Sequence, residues 1–218
     1  MSKPTTEPRR ILCFGDSNTW GFSPKDGSRM PKRWTRVLAL DNAEIIEEGL
    51  NSRTAFSKDE YAPERVGIHA FKMLLQSHKP LDAVVVMLGT NDLKGQYHNS
   101  ARNIANGLRE YARLFANPTL FEGFKKPKLL IVSPILCGEN LPELEDEAGM
   151  FNQRSVEQSR LLSLELENAL APYDVEFLDA ARYAKASKID GLHMEEEEHA
   201  KLARAIREKL QEMLDENE

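Results

Sequence analysis

Cysteine is scarce in this chain: Cys13 and Cys137 are the only two, they lie far apart, and neither forms a CxxC pair. That excludes a disulfide framework, and both read as reduced thiols, Cys13 as a small core residue. No apolar run approaches the roughly 20 residues that cross a bilayer, so no membrane partner is expected. The opening MSKPTTEPRR lacks the apolar segment of a secretory signal, which makes a cytoplasmic location the expectation. Net charge is -6 with no basic stripe, and this excludes nucleic acid as the main partner. Two common chemical signatures are also missing, the GxxxxGK[ST] phosphate loop and the GxSxG nucleophile elbow. What remains is 218 residues of ordinary globular composition, 41% hydrophobic and 29% charged. The expectation is a single domain over 1–218 with a flexible tail over 1–9.

Five short apolar runs recur, at Ile11–Phe14, Ala43–Ile46, Ala83–Leu88, Leu129–Val132 and Val175–Leu178. The third and fourth, AVVVML and LLIV, are continuous rather than alternating, as strands covered on both faces are. Segments of helical spacing separate them: a short one at Trp34–Leu40, then Pro63–His78, Ser100–Phe115, Asn152–Leu170 and Glu195–Leu214. Strands alternating with helices predict an α/β protein, a three-layer α/β/α sandwich around a five-stranded parallel sheet. The acidic patch Glu195–Glu198 reads as a solvated helix start, where acids complement the N-terminal dipole, rather than as a metal site with His193 and His199.

In such sheets ligands bind where strands end and loops lead into helices. After the first strand comes Gly15-Asp16-Ser17-Asn18. Gly15 permits a tight turn, and Ser17 stands at the start of a helical segment, as a cap or as a nucleophile. After the second comes Gly49, a plain turn glycine or a backbone N–H that closely approaches a substrate oxygen. After the third comes Gly89-Thr90-Asn91-Asp92, where Asn91 closes an Asx-turn or aims its amide at an oxyanion. Past the fifth comes Asp190-Gly191-Leu192-His193, whose spacing lets one loop hold both side chains, with Asp190 fixing the imidazole tautomer. His69, His78, His98 and His199 have no comparable aspartate and read as structural or solvent-facing. Trp20 is a candidate for the pocket wall and Trp34 for the core. Together the four strand ends supply a nucleophile, a base, an orienter and oxyanion donors.

With these residues in hand, the chain resembles the SGNH (GDSL) hydrolase superfamily, whose four namesake residues match Ser17, Gly49, Asn91 and His193. The blocks read GDSN, the glycine of EEGLNSRT, GTND and DGLH, in the family's order and across nearly the whole chain. ILCFGDSNTWG, RWTRVL, IIEEGLNSRT and VVVMLGTND look like the arylesterase/acyltransferase branch, some of whose members assemble as oligomers. The resemblance implies a flavodoxin-like fold, Ser17 as nucleophile, His193 as general base and then acid, and Asp190 as its orienter. It implies an oxyanion hole from the Ser17 and Gly49 N–H groups and the Asn91 side chain, with Asp16 and Asp92 holding loops. It matches Asn18, Phe22, Thr90, Lys94 and Leu192 to pocket positions, polar Asn18 standing where the acyltransferase branch can carry leucine. The implied reaction is hydrolysis of small aryl, short-chain acyl or acetylated carbohydrate esters through an acyl-serine. Acyl transfer or perhydrolysis is implied as a side activity, with neither metal nor cofactor, in a homo-oligomer. The acidic, Pro/Gly-punctuated segment 134–151 would roof the pocket as a loop or lid. The rival reading is a nucleotide- or flavin-binding module in which Ser17 and Thr19 cradle a phosphate, and it leaves Asp190, His193 and Asn91 idle.

Overall fold

The computed structural model describes residues 7–144 and 150–215. Five strands, β1 (Arg9–Gly15), β2 (Ala43–Gly49), β3 (Ala83–Met87), β4 (Lys128–Ser133) and β5 (Glu176–Asp179), form one parallel sheet in the order β2-β1-β3-β4-β5. The helices are α1 (Ser17–Trp20), α2 (Gly67–Ser77), α3 (Ala101–Phe115), α4 (Gln153–Leu170) and α5 (Glu196–Asp215). Each expected strand is present. Arg9 already pairs with Ala43, so the tail expected over 1–9 ends earlier, and its residues 1–6 lie outside the described ones.

The continuous apolar runs are explained by burial on both sheet faces. Leu12, Phe14, Val84, Val86 and Ile131 point toward α2, α3 and α4. Ile11, Cys13, Val85, Leu130 and Val132 point toward α5 and the buried Trp34 and Leu38. Phe14, Phe71 and Tyr111 meet with ring centroids 4.8 to 6.2 Å apart, each such burial contributing roughly 1.5–3 kcal/mol. Both cysteines are buried free thiols, and burial pushes the Cys137 thiol up to about 12. Among the described residues no helix is long and apolar enough to cross a membrane.

Three helix expectations change. Trp34–Leu40 forms turns rather than a helix, because Arg33 and Thr35 commit their side chains to Glu47 of β2 and Ala39 takes a positive φ of 48°. Pro63–His78 splits into a 3₁₀ turn at Pro63–Arg65 and then α2, since Val66 is extended where it bridges to Thr54. The acidic patch is not solvated throughout: Glu198 and His199 are buried, Glu198 accepting from the Lys185 N–H and Lys201 Nζ. Ser100 and Asn152 prove to be N-caps, their side chains accepting the N–H groups three residues on.

The register sets Gly15 of β1 level with Gly49 of β2 and Met87 of β3. The first three strands therefore end at one edge, and the loops that follow them converge there.

Candidate active site

The site begins where β1 runs into α1. A Cβ on Gly15 would lie 2.1 Å from Thr19 Oγ1 and 2.8 Å from the Met87 carbonyl oxygen. The glycine is needed for this close approach, and its φ is not in the left-handed region. Asp16 caps α1, its Oδ1 accepting the Asn18 N–H at 3.0 Å. Ser17 is thus the first helical residue and not the cap, and its own N–H has no hydrogen-bond partner among the described residues.

Ser17 Oγ lies 2.8 Å from His193 Nε2, and His193 Nδ1 lies 2.6 Å from Asp190 Oδ2. The carboxylate at Nδ1 assigns the ring proton there and leaves Nε2 to accept from the serine hydroxyl. The other Asp190 oxygen accepts the Leu192 and His193 N–H groups, each at 3.0 Å. Burial alone would raise the Asp190 carboxyl, but the bond to His193 and those two N–H donors hold it below the ordinary range. Asp190 is therefore ionised and aligned beside the imidazole. Phe22 stacks on that imidazole with centroids 4.5 Å apart and planes inclined by 35°.

The loop after β3 adds the second wall. Asn91 Nδ2 donates to the Arg53 carbonyl at 3.1 Å, which orients the amide and leaves its second N–H for the cleft. Asp92, wholly buried, rivets this loop to the one after β2: its carboxylate accepts the Ala55, Phe56 and Ser57 N–H groups and the Ser57 hydroxyl at 2.6 to 3.2 Å. These contacts provide the loop-holding role expected of Asp92, whereas the side-chain bond of Asp16 is the local cap of α1.

Gly49 sits differently from its expected place. A Cβ there would meet the Trp20 backbone nitrogen at 2.3 Å, so the glycine lets α1 lie against β2. Because the Leu50 N–H donates to the Gly15 carbonyl, the alternating ladder turns the Gly49 N–H toward the free edge of β2, away from Ser17. The cleft wall here is formed instead by Asn51 and Ser52, with Ser52 in the left-handed region at φ 62°. The Ser52 N–H has no hydrogen-bond partner among the described residues. Sequence reading missed it because nothing local marks a serine as left-handed. Arg53 was missed too. Its guanidinium, 4.2 Å over the Phe14 ring, donates to the Gly15 and Glu48 carbonyls and so pins the approach to Asp16 and Ser17.

A cleft of about 160 Å³ opens over Ser17 and His193. Of the expected pocket positions, Phe22, Thr90, Lys94 and Leu192 line it, as do Met150 and Phe151. Asn18 does not. It is 3% exposed, with its amide turned to the backbone beside His193. Of the segment expected as a roof, 145–149 lies outside the described residues. Its first part is docked, with the Gly138 N–H on the Gly191 carbonyl and Leu141 buried, and its last two residues reach the cleft. Trp20 stacks under the Arg29 guanidinium beside Phe22 and is not a cleft wall; Trp34 is fully buried. Thr19 is fully buried against Gly15, so it is not presented to a phosphate. His199 is buried, its Nδ1 accepting the Trp34 N–H at 3.3 Å, and burial lowers it to about 4.

The GDSL-like lipase/acylhydrolase family matches residues 13–201. The aryl esterase of M. smegmatis is 32% identical, with a TM-score of 0.86 over 94% of this chain and 100% of that one. A carbohydrate acetylesterase from Sinorhizobium meliloti is 35% identical, with a TM-score of 0.85 over 94% of this chain and 99% of that one. A lipase/acylhydrolase from Enterococcus faecalis shares the fold at 16% identity, with a TM-score of 0.61 over 94% and 96% of the two chains. A search of curated proteins found no match. An ordered set of family blocks, a five-stranded parallel sheet and relatives above 30% identity agree: the chain belongs to the GDSL-like lipase/acylhydrolase family, within the SGNH hydrolase superfamily.

Proposed function

We propose that this chain is a serine esterase that hydrolyses small carboxylic esters through an acyl-serine intermediate. One observation carries the reading: the unbroken line from Asp190 through His193 to Ser17, with steps of 2.6 and 2.8 Å, ending at a cleft. His193 Nε2 takes the Ser17 proton as Oγ attacks the ester carbonyl, and Asp190 stabilises the imidazolium. Negative charge gathers on the carbonyl oxygen, where preorganised donors lower the barrier most. We assign those donors to the Ser17 N–H, the Asn91 amide and the Ser52 N–H, the last in the place expected of Gly49. His193 returns the proton to the leaving alcohol, the Ser17 ester forms, and water activated by the same imidazole releases the acid. These steps use side chains and backbone of this chain alone.

A cleft of about 160 Å³ with Phe22, Phe151 and Leu192 in its wall suits an acetyl or other short acyl group. The solved relatives include an aryl esterase and a carbohydrate acetylesterase, and aryl acetates and acetylated carbohydrates are accordingly the substrate classes proposed. The same reading carries acyl transfer to an alcohol or peroxide as a side activity, in a cytoplasmic, homo-oligomeric, one-domain enzyme. The test is a chain-length series of p-nitrophenyl esters alongside acetylated xylan, with Ser17→Ala as control. Turnover highest for acetate and abolished by Ser17→Ala is the expected result. Undiminished turnover in Ser17→Ala rejects the reading.

A further inference from the structure

Asn18 follows the nucleophile directly, yet its side chain is spent on the loop that carries the base. Its Nδ2 donates to the Leu192 carbonyl at 3.1 Å, and its Oδ1 accepts the Met194 N–H at 3.1 Å. The partners define the amide orientation, because a flipped amide would set NH₂ against N–H and oxygen against oxygen. We propose that Asn18 is a positioning residue: its amide clamps the backbone on both sides of His193 to the helix that presents Ser17. The proposal rests on the reading of Ser17 and His193 as nucleophile and base.

The backbone around His193 shows what the clamp adds. Asp190 Oδ1 takes the Leu192 and His193 N–H groups, and the Ser187 N–H donates to the His193 carbonyl. Those bonds arise within the 187–194 loop and shape it without placing it against α1. The two from Asn18 cross from α1 over 174 and 176 positions of sequence. They hold the half-buried Leu192 carbonyl and the buried Met194 N–H, each of which has no other hydrogen-bond partner among the described residues. Asn18 is itself held from behind, its N–H on Asp16 Oδ1. Nucleophile and base are thus registered by the residue next to one on the backbone flanking the other.

The clamp matters most after the first chemical step. In the resting enzyme the Ser17–His193 hydrogen bond also joins the two walls. Once Ser17 Oγ is esterified it has no proton to donate, and that link is gone. The amide then keeps the imidazole in place to activate water. Leucine at this position would fill similar space and satisfy neither backbone group, freeing the loop to shift. A displacement of about 1 Å near reacting atoms costs on the order of 100-fold in rate.

The experiment compares parent, Asn18→Leu, Asn18→Asp and Ser17→Ala on p-nitrophenyl acetate, with folding checked by thermal melting. Asn18→Leu is expected to lower kcat by about 10- to 100-fold without raising KM, and to show a burst of p-nitrophenol as acyl-enzyme accumulates. Asn18→Asp supplies the second reading. Its neutral carboxyl has one donor and one acceptor and reproduces the clamp, whereas its carboxylate faces the Leu192 carbonyl with no proton. Activity of Asn18→Asp should therefore fall as pH rises through the titration of the new carboxyl, a limb absent from the parent. The downfield imidazole proton bonded to Asp190, identified by its loss in His193→Ala, should be sharp in parent and Ser17→Ala and broadened in Asn18→Leu. A folded Asn18→Leu with kcat within twofold of the parent, or with unchanged kcat and raised KM, overturns the clamp. Undiminished turnover in Ser17→Ala overturns the esterase reading instead, and the imidazole proton then judges the clamp alone.

Discussion

Asp16 and Asp92 are near twins in the sequence, each one position from a residue placed in the site and each fully or almost fully buried. Their surroundings differ sharply. Four donors converge on the two oxygens of Asp92. Asp16 has the Asn18 N–H on Oδ1 and, among the described residues, no hydrogen-bond partner on its buried Oδ2. Asp16 borders a small void whose lining includes Thr90, its buried hydroxyl also without a partner among the described residues, and the apolar Met87, Ile135 and Met194. Burial therefore pushes the Asp16 carboxyl up to about 6. Burial raises Asp92 too, against the pull of its four bonds. A buried carboxylate closes a structure when its lone pairs are filled, and it becomes a pH-dependent liability when they are not.

Four substitutions would break or sharpen that contrast. The largest effect belongs to the neighbour of Asp92: Asn91→Ala removes one proposed oxyanion donor and should lower kcat by roughly 100- to 1,000-fold. Steady-state kinetics checks it, and near-normal turnover in the folded variant would take Asn91 out of that role. Asp92→Asn comes next, because its NH₂ group turns toward backbone N–H donors. A loss of about 2–3 kcal/mol in urea unfolding at pH 7 is expected.

Asp16→Asn should move the other way. Asparagine caps a helix as well as aspartate does and carries no charge to desolvate. The unfolded chain releases this proton near 3.8 and the folded protein near 6. Between those values the folded state holds the extra proton, so the parent loses stability as pH rises, and the penalty is complete above about 6. Asp16→Asn is therefore expected to exceed the parent by on the order of 2 kcal/mol at pH 7 and to show no such advantage below pH 4. Paired unfolding curves across that range would expose the reverse order if the charge stabilises. Thr90→Val is the smallest change: exchanging an unpartnered hydroxyl for a methyl should alter stability by less than about 1 kcal/mol, in the favourable direction. Thermal melting would detect a larger loss, which would mean that the hydroxyl has a partner after all.

The size of an opening is a poor guide to chemistry here. A cavity of about 640 Å³ lies between α4, β5 and α5, lined by charged groups such as Arg160, Glu167, Glu208 and Lys209, and none of the triad residues borders it. The cleft over Ser17 has a quarter of that volume, about 160 Å³. What marks it is the convergence of a hydroxyl, an imidazole, a carboxylate and unpaired N–H groups.

Much of this was legible before any coordinates. The strands declared themselves because burial on both faces demands unbroken apolar runs, as in AVVVM of β3. The proposed triad could be read because each member follows a strand end and the parallel arrangement sends all such ends to one edge. Other features left no local trace. Val66 breaks the Pro63–His78 pattern only because Thr54 is there to bridge it. Asn18 looked like a pocket residue, since its partners at Leu192 and Met194 stand more than 170 positions away.

Periodicity and the identities of Ser17, Asn91, Asp190 and His193 are properties of the chain itself, and they determined the layer architecture and the reactive groups. Which N–H faces the cleft, whether a buried carboxylate finds its donors, and where the Asn18 amide is spent were decided only on folding. Apolar patterning acts over a few residues and survives in one dimension. A hydrogen bond is directional and short, so its partner exists only after distant loops have been brought within about 3 Å.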